Sequence, residues 1–185
     1  RATELKVAGT RPSGFIEVTI AADAEGNIVA WDSHHWGTSG MAGGTVALGQ
    51  IPYVFDFPNR NRKATGLICN TGPNRAWRAR PHPQLCAMTQ TAMDDLAAKM
   101  GMDSYDLFMK NLKNVSAGIE DRIEVYAEQM KIAAEMIEWK AKWHPHGKDN
   151  GDGPVKRGLG MALHTWGGGA GPCSCLLQLA PDGAV

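Results

Sequence analysis

Residues 57–93 contain no aspartate or glutamate, although the chain as a whole carries 19 acidic and 19 basic residues. Six basic residues, Arg60, Arg62, Lys63, Arg75, Arg78 and Arg80, fall in that stretch, so positive charge is concentrated locally in a neutral chain. A local concentration fits one bound anionic group, whereas a protein that tracks nucleic acid usually presents a basic face over a whole domain. Cysteine is scarce too. Four cysteines (Cys69, Cys86, Cys173 and Cys175) in 185 residues make no disulfide framework, and buried thiols are the default. No apolar run approaches the ~20 residues of a membrane-spanning helix, and no basic n-region followed by an apolar h-region opens the sequence. The expectation is a soluble, cytoplasmic protein with no membrane partner.

Several site chemistries lack their signatures. The run Gly40-Met41-Ala42-Gly43-Gly44-Thr45 has no Lys-Ser/Thr ending, which a phosphate-cradling Walker loop requires. His34-His35 and His144 with His146 belong to no Cys/His or His/carboxylate set with zinc spacing. Cys173 and Cys175, read as alternate residues of a strand, would point to opposite faces and not chelate one ion. No Ser-His-Asp or Cys-His set assembles by spacing alone. The residues themselves thus assign neither a metal ligand nor a catalytic residue.

What is present is a cationic loop over residues 70–84, with Arg75, Arg78, Arg80 and Trp77 set among Pro73, Pro81 and Pro83. Each proline fixes its own φ and biases the preceding residue toward extended backbone, which removes part of the ordering cost before a ligand arrives. A helix can begin at Pro83, whose missing N–H is harmless in a first turn, and its positive end would face the arginines.

Around this loop the chain reads as α+β, with mixed sheets and packed helices. Ile16, Val18 and Ile20 alternate with Glu17 and Thr19 as a half-buried strand, residues 23–27 turn the chain, and residues 28–31 return it. Residues 37–49 hold five glycines and read as an irregular loop or loosely formed helix beside a site, and residues 63–70 as another strand. A helix is predicted from Pro83 to about Lys99, stopped by Gly101. Asp103 then caps a short helix whose buried side carries Phe108 and Leu112. A third helix is predicted over residues 121–143, with Ile123, Tyr126, Met130, Ala133 and Ile137 as a core-packing stripe and Glu138–Lys142 as a surface pair. Residues 148–154 form a polar, glycine-rich connection, residues 155–165 resume as a strand, and residues 176–179 read as a further strand leading into an Asp182-Gly183 turn. Both ends read as cut, so the chain is expected to be a fragment.

The run Gly72-Pro73-Asn74-Arg75-Ala76-Trp77-Arg78-Ala79-Arg80-Pro81-His82-Pro83-Gln84 resembles the loop G-P-N-R-A-W-R-A-P-x-H-P-Q of the molybdopterin-binding large subunits in the xanthine dehydrogenase and aldehyde oxidase family. Residues 96–103 with Lys110-Asn111-Leu112, residues 139–145, and Arg157-Gly158-Leu159-Gly160 agree with the same family in the same order. The resemblance implies a molybdenum hydroxylase that inserts a water-derived oxygen into a C–H bond of an aldehyde or N-heteroaromatic substrate. It implies a molybdenum–molybdopterin cofactor, in the cytosine dinucleotide form, and electron transfer through iron–sulfur clusters and FAD on partner subunits or domains.

Carried over residue by residue, the resemblance places Ala76, Trp77, Arg78 and Ala79 against the cofactor and Arg80, Trp166 and Gly167 in the substrate pocket. Arg80 stands where the family has proline. The family's catalytic glutamate lies beyond Val185, so no catalytic residue is expected within the chain, and none of its residues is expected to ligate the metal directly. Residues 1–147 are expected to be part of the first molybdopterin-binding domain, and residues 148–185 a linker and the truncated start of the second. Purine-oxidising members place an arginine at a position that corresponds to Val46, so the expected substrate is an aldehyde or a less polar N-heterocycle. The competing reading is a non-catalytic module that uses the arginine loop for a phosphate-bearing ligand or RNA.

Overall fold

A computed structural model of the chain describes residues 3–4, 8–41, 48–75, 81–116, 120–148, 153–165 and 171–184. Among these the architecture is α+β, as the sequence patterning indicates. Strands β1 (Gly14–Ala22), β2 (Ile28–Ser39) and β3 (Asn59–Ile68) form a sheet in the order β1-β2-β3. Helices α1 (His82–Met100), α2 (Ser104–Asn111), α3 (Ile123–Met136) and the single turn α4 (Trp139–Lys142) follow.

The first hairpin forms where the alternation predicts it. β1 and β2 are antiparallel, with Ile16 opposite His35, Val18 opposite Ser33 and Ile20 opposite Trp31. The Asp23 side chain accepts hydrogen bonds from the backbone N–H groups of Glu25 (3.1 Å) and Asn27 (2.7 Å), and Gly26 supplies the positive φ of +88° that the turn needs. The Asn27 side-chain amide also donates to this carboxylate, at 2.7 Å, and that bond first, with the backbone ones, holds the Asp23 pKa below the ordinary value.

β2 runs eight residues beyond the predicted return strand, into the stretch read as an irregular loop. Its buried side is Trp31, Ser33, His35, Gly37 and Ser39, a period-two face made largely of polar or small residues that hydropathy cannot detect. Trp31 Nε1 donates to Ser33 Oγ at 2.9 Å on that face. His35 is fully buried with no hydrogen-bond partner on either ring nitrogen, and burial, with Arg62 and His34 adding to it, lowers its pKa and holds it neutral.

β3 pairs with β2 in parallel, from Ala30 opposite Asn59 to Ser39 opposite Ile68. It begins four residues before the predicted strand and ends two before it. A parallel pair needs a crossover, usually a helix. Here the described part of the crossover is an irregular apolar stretch beneath the sheet, in which Ile51, Tyr53, Val54, Phe55 and Phe57 are all buried. Its backbone polar groups are satisfied from other elements. Tyr53 N–H donates to Thr89 Oγ1 (2.8 Å), Asp56 N–H to Asn114 O (2.6 Å), and Ser116 N–H to Val54 O (2.6 Å).

The helices close the other side of this core. Leu85, Met93 and Ala97 of α1 are buried, and Gly101 ends the helix in the left-handed conformation, its N–H reaching the Ala97 and Ala98 carbonyls. Asp103 caps α2 as predicted, accepting from Tyr105 N–H at 2.9 Å. It also accepts from Trp139 Nε1 and Lys140 Nζ, both at 2.9 Å.

That second use of Asp103 explains why the predicted single helix over residues 121–143 is broken. Glu138 takes a φ of +57°, α4 restarts at Trp139, and the indole is thereby turned into the interior, 1% exposed, where it donates to Asp103. Of the predicted stripe, Met130 is buried and Ile123 and Tyr126 are half-buried, but Ala133 and Ile137 face solvent. The Glu138–Lys142 pair is present at 2.8 Å.

Two predicted strands do not form. Residues 155–165 join no ladder. They are held instead by side chains, with Leu163 N–H donating to Gln90 Oε1 (3.0 Å), the Leu163 side chain buried, and His144 Nε2 2.9 Å from Arg157 O. Residues 176–179 are likewise no strand, although the turn after them closes through Gly183 N–H to Ala180 O at 2.9 Å. Among the described residues, no helix is long and apolar enough to cross a membrane.

Candidate functional site

The described start of the arginine loop is clamped by backbone contacts. Cys69 N–H donates to Ser39 O (2.8 Å), Met41 N–H to Thr71 O (3.0 Å), and Arg75 N–H to Thr10 O (3.0 Å). Asn74 is buried and its Nδ2 donates to the Thr38 carbonyl, while its Oδ1 accepts from Thr10 Oγ1 at 3.3 Å. The asparagine of the G-P-N-R run is therefore a structural anchor between β2 and the chain's N-terminal segment.

Two glycines permit this approach. A Cβ on Gly40 would lie 1.8 Å from the Gly72 carbonyl oxygen, and one on Gly9 would lie 2.1 Å from that of Pro73. Both obstacles are backbone. Gly40→Ala is accordingly expected to cost roughly 1–3 kcal/mol, the usual range for overpacking, and to displace the loop. Gly49→Ala, with nothing within 4 Å of the added methyl, serves as the control. Thermal denaturation of the two variants checks this, and equal melting temperatures would contradict it.

Ala76, Trp77, Arg78, Ala79, Arg80, Trp166 and Gly167, the residues assigned to cofactor and substrate by resemblance, lie outside the described residues, as does Val46. Their described neighbours come together. His82 stands at the end of the arginine loop, Thr165 precedes Trp166, and both His82 and Thr165 meet Tyr53. The Tyr53 and His82 rings are edge-to-face at 5.3 Å between centroids, and the Tyr53 hydroxyl donates to the Thr165 carbonyl. Tyr53 also stands edge-to-face with His164 at 5.6 Å. Burial pushes the Tyr53 phenol up from its ordinary pKa, so it remains a proton donor at neutral pH.

These residues border a cleft of about 660 Å³, lined by Gln50, Tyr53, Arg60, Arg62, His82 and Thr165 among others. Arg60 is paired with Asp56, and Arg62 Nη1 donates to Gly49 O at 3.1 Å, so the guanidinium groups are held by short local contacts. Deeper in the helix start, Gln84 donates through Nε2 to the Pro12 carbonyl, which leaves its Oε1 buried with no hydrogen-bond partner. Neither Tyr53 nor Gln84 is marked by a local motif of catalytic type. The one signal for Tyr53 is the period-two run Ile51, Tyr53, Phe55, Phe57, and for Gln84 its place at the end of the loop motif.

The geometry defines a cofactor- or ligand-binding α+β domain, with cationic side chains at a cleft beside the arginine loop. The sequence profile of the molybdopterin cofactor-binding domain matches residues 1–112, more than half of the chain, and the chain belongs to that family. Similar solved structures carry the same fold. Quinoline 2-oxidoreductase from Pseudomonas putida 86 aligns with a TM-score of 0.55 at 17% identity over 70% of this chain and 18% of that one. Reconstituted CO dehydrogenase from Oligotropha carboxidovorans gives 0.55 at 18% identity over 70% and 18%. Aldehyde oxidoreductase from Desulfovibrio gigas gives 0.50 at 21% identity over 70% and 16%. The chain thus spans less than a fifth of the length of each of these proteins. Comparison with curated protein sequences gives no match.

The described residues fit the group that the family holds. The cleft volume lies within the ~300–1,000 Å³ usual for cofactor sites. Arg60 and Arg62 at the cleft carry guanidinium donors of the kind a phosphate accepts from.

Proposed function

We propose that this chain holds the molybdopterin of a molybdenum hydroxylase that oxidises an aldehyde or N-heteroaromatic C–H with water-derived oxygen. The observation that supports this best is the meeting of His82 and Thr165 at Tyr53, which brings the flanks of both resemblance-assigned segments to one cleft. Ala76, Trp77, Arg78 and Ala79 would contact the cofactor, with the Arg78 guanidinium donating charge-assisted hydrogen bonds. Arg80, Trp166 and Gly167 would line the substrate pocket, orienting the substrate and excluding water. When bound, the cofactor supplies the redox centre for the C–H oxidation. Its cytosine dinucleotide form, iron–sulfur and FAD partners, and a cytoplasmic location belong to the same proposal. So does a division into a first cofactor-binding domain over residues 1–147 and the opening of a second over residues 148–185. No proton-transfer role is assigned to a residue of this chain.

The aliphatic Val46 at the purine-recognition position points to a substrate without a polar ring oxygen. A site that hydrogen-bonds a substrate group discriminates by several orders of magnitude, and valine has no donor to offer. Steady-state assays of the assembled enzyme are expected to give a higher kcat/KM for an aromatic aldehyde or a quinoline-type ring than for xanthine. A kcat/KM highest for xanthine would overturn the substrate assignment.

A further inference from the structure

We propose that Tyr53 is a positioning residue that fixes the end of the arginine loop relative to the segment leading into Trp166, and that Tyr126 shares the second contact. The inference rests on the functional reading above, but its geometry is independent of any cofactor. Tyr53 is itself held rigidly. It is 6% exposed, its N–H donates to the buried Thr89 hydroxyl of α1, and the next carbonyl, Val54 O, accepts from Ser116 N–H. From that fixed point the side chain makes two long-range contacts. Its ring meets His82, and its hydroxyl donates to the Thr165 carbonyl, 112 residues away in sequence.

The choice of atom matters. The Thr165 carbonyl is the last described backbone acceptor before Trp166, so a donor placed on it fixes the end of the segment that leads there. The Thr165 side chain is held separately, its Oγ1 3.2 Å from the Tyr126 hydroxyl of α3. Two phenols from different elements therefore take the two oxygens of one residue. On the other side, His82 stands between Pro81 and Pro83, whose fixed φ angles leave little local freedom to absorb a displacement of its ring. A shift of Tyr53 would move both neighbours at once. Burial keeps the phenol protonated, as the contact with a carbonyl requires.

Hydrogen exchange of the cofactor-free protein separates this role from plain core packing. Tyr53→Phe keeps the ring and deletes only the hydroxyl, as does Tyr126→Phe. Each is expected to speed exchange in peptides spanning residues 160–170 by roughly three- to tenfold, the free-energy equivalent of one net hydrogen bond. Peptides from α2 should exchange as in the native protein. Tyr53→Leu, which also removes the edge-to-face contact with His82, should additionally speed peptides spanning residues 76–84. In the loaded enzyme Tyr53→Phe should raise KM more than it lowers kcat. Native exchange over residues 160–170 in both phenylalanine variants, or an equal rise in all peptides, would overturn the proposal. Should Tyr53→Leu not fold, the phenylalanine variants decide. A native protein that takes up no molybdopterin would refute the functional reading and leave the exchange result standing.

Discussion

Arg78→Ala is expected to lower molybdenum content and turnover together, by roughly ten- to a hundredfold in cofactor affinity. The estimate follows from ~1.5–3 kcal/mol for each hydrogen bond to a charged group, with every 1.4 kcal/mol a factor of about ten. Arg78 stands within the run that matches the family's Ala-aromatic-Arg segment and among six basic residues uncompensated by any acid between residues 57 and 93. Its side chain lies outside the described residues, so the prediction rests on that resemblance and on the clamped base of the loop. That base is set by Asn74, Gly9 and Gly40, all of which the substitution leaves in the sequence. The fold should survive the substitution. Metal analysis and steady-state kinetics on the same preparation check it. Normal metal loading with lost turnover would mean that the arginine acts on substrate and not on the cofactor.

Asn111→Ala is expected to destabilise the fold by roughly 3–5 kcal/mol, because it leaves more than one buried polar group without a partner. Asn111 is fully buried in the last turn of α2. Its Oδ1 accepts from Ile28 N–H at 2.8 Å, and its Nδ2 donates to Gly26 O and Leu107 O, both at 2.9 Å. One amide thereby ties the β1–β2 turn to α2 across more than 80 residues of chain. Truncation removes the partner of the buried Ile28 N–H and that of the Gly26 carbonyl together. Chemical denaturation of the native and variant proteins measures the loss, and a change below about 1 kcal/mol, the scale of a surface substitution, would contradict this account.

The same residue shows what was legible in the sequence and what was not. Lys110-Asn111-Leu112 is visible as a family-like segment, but its physical role depends on a hairpin far upstream. Elements with local signals were readable. The alternation in β1, Gly101 after α1 and the Asp103 cap each rest on neighbours within a few residues, and each stands in the structure. β2 was only half visible because its buried face carries Ser33, His35 and Ser39, whose environment is set by the sheet and not by their own hydropathy. The break at Glu138 was invisible because its cause, the bond from Trp139 to Asp103, spans 36 residues. Residues 155–165 have strand-like composition but meet no strand edge, and their backbone is recruited by Gln90 instead.

For the site, the arginine loop was legible as chemistry and, through resemblance, as a cofactor contact. The anchoring role of Asn74, the unpartnered Gln84 Oε1 and the place of Tyr53 were not. Each depends on a partner more than 60 residues distant, such as Thr10 for Asn74, Pro12 for Gln84 and Thr165 for Tyr53.

The most direct test of the central claim is the molybdenum and pterin content of the protein purified from a host that makes the cofactor. Metal analysis together with fluorescence of the released, oxidised pterin is expected to find both, in equal amounts and at a level approaching that of the protein. Protein recovered folded but with neither metal nor pterin would contradict the account.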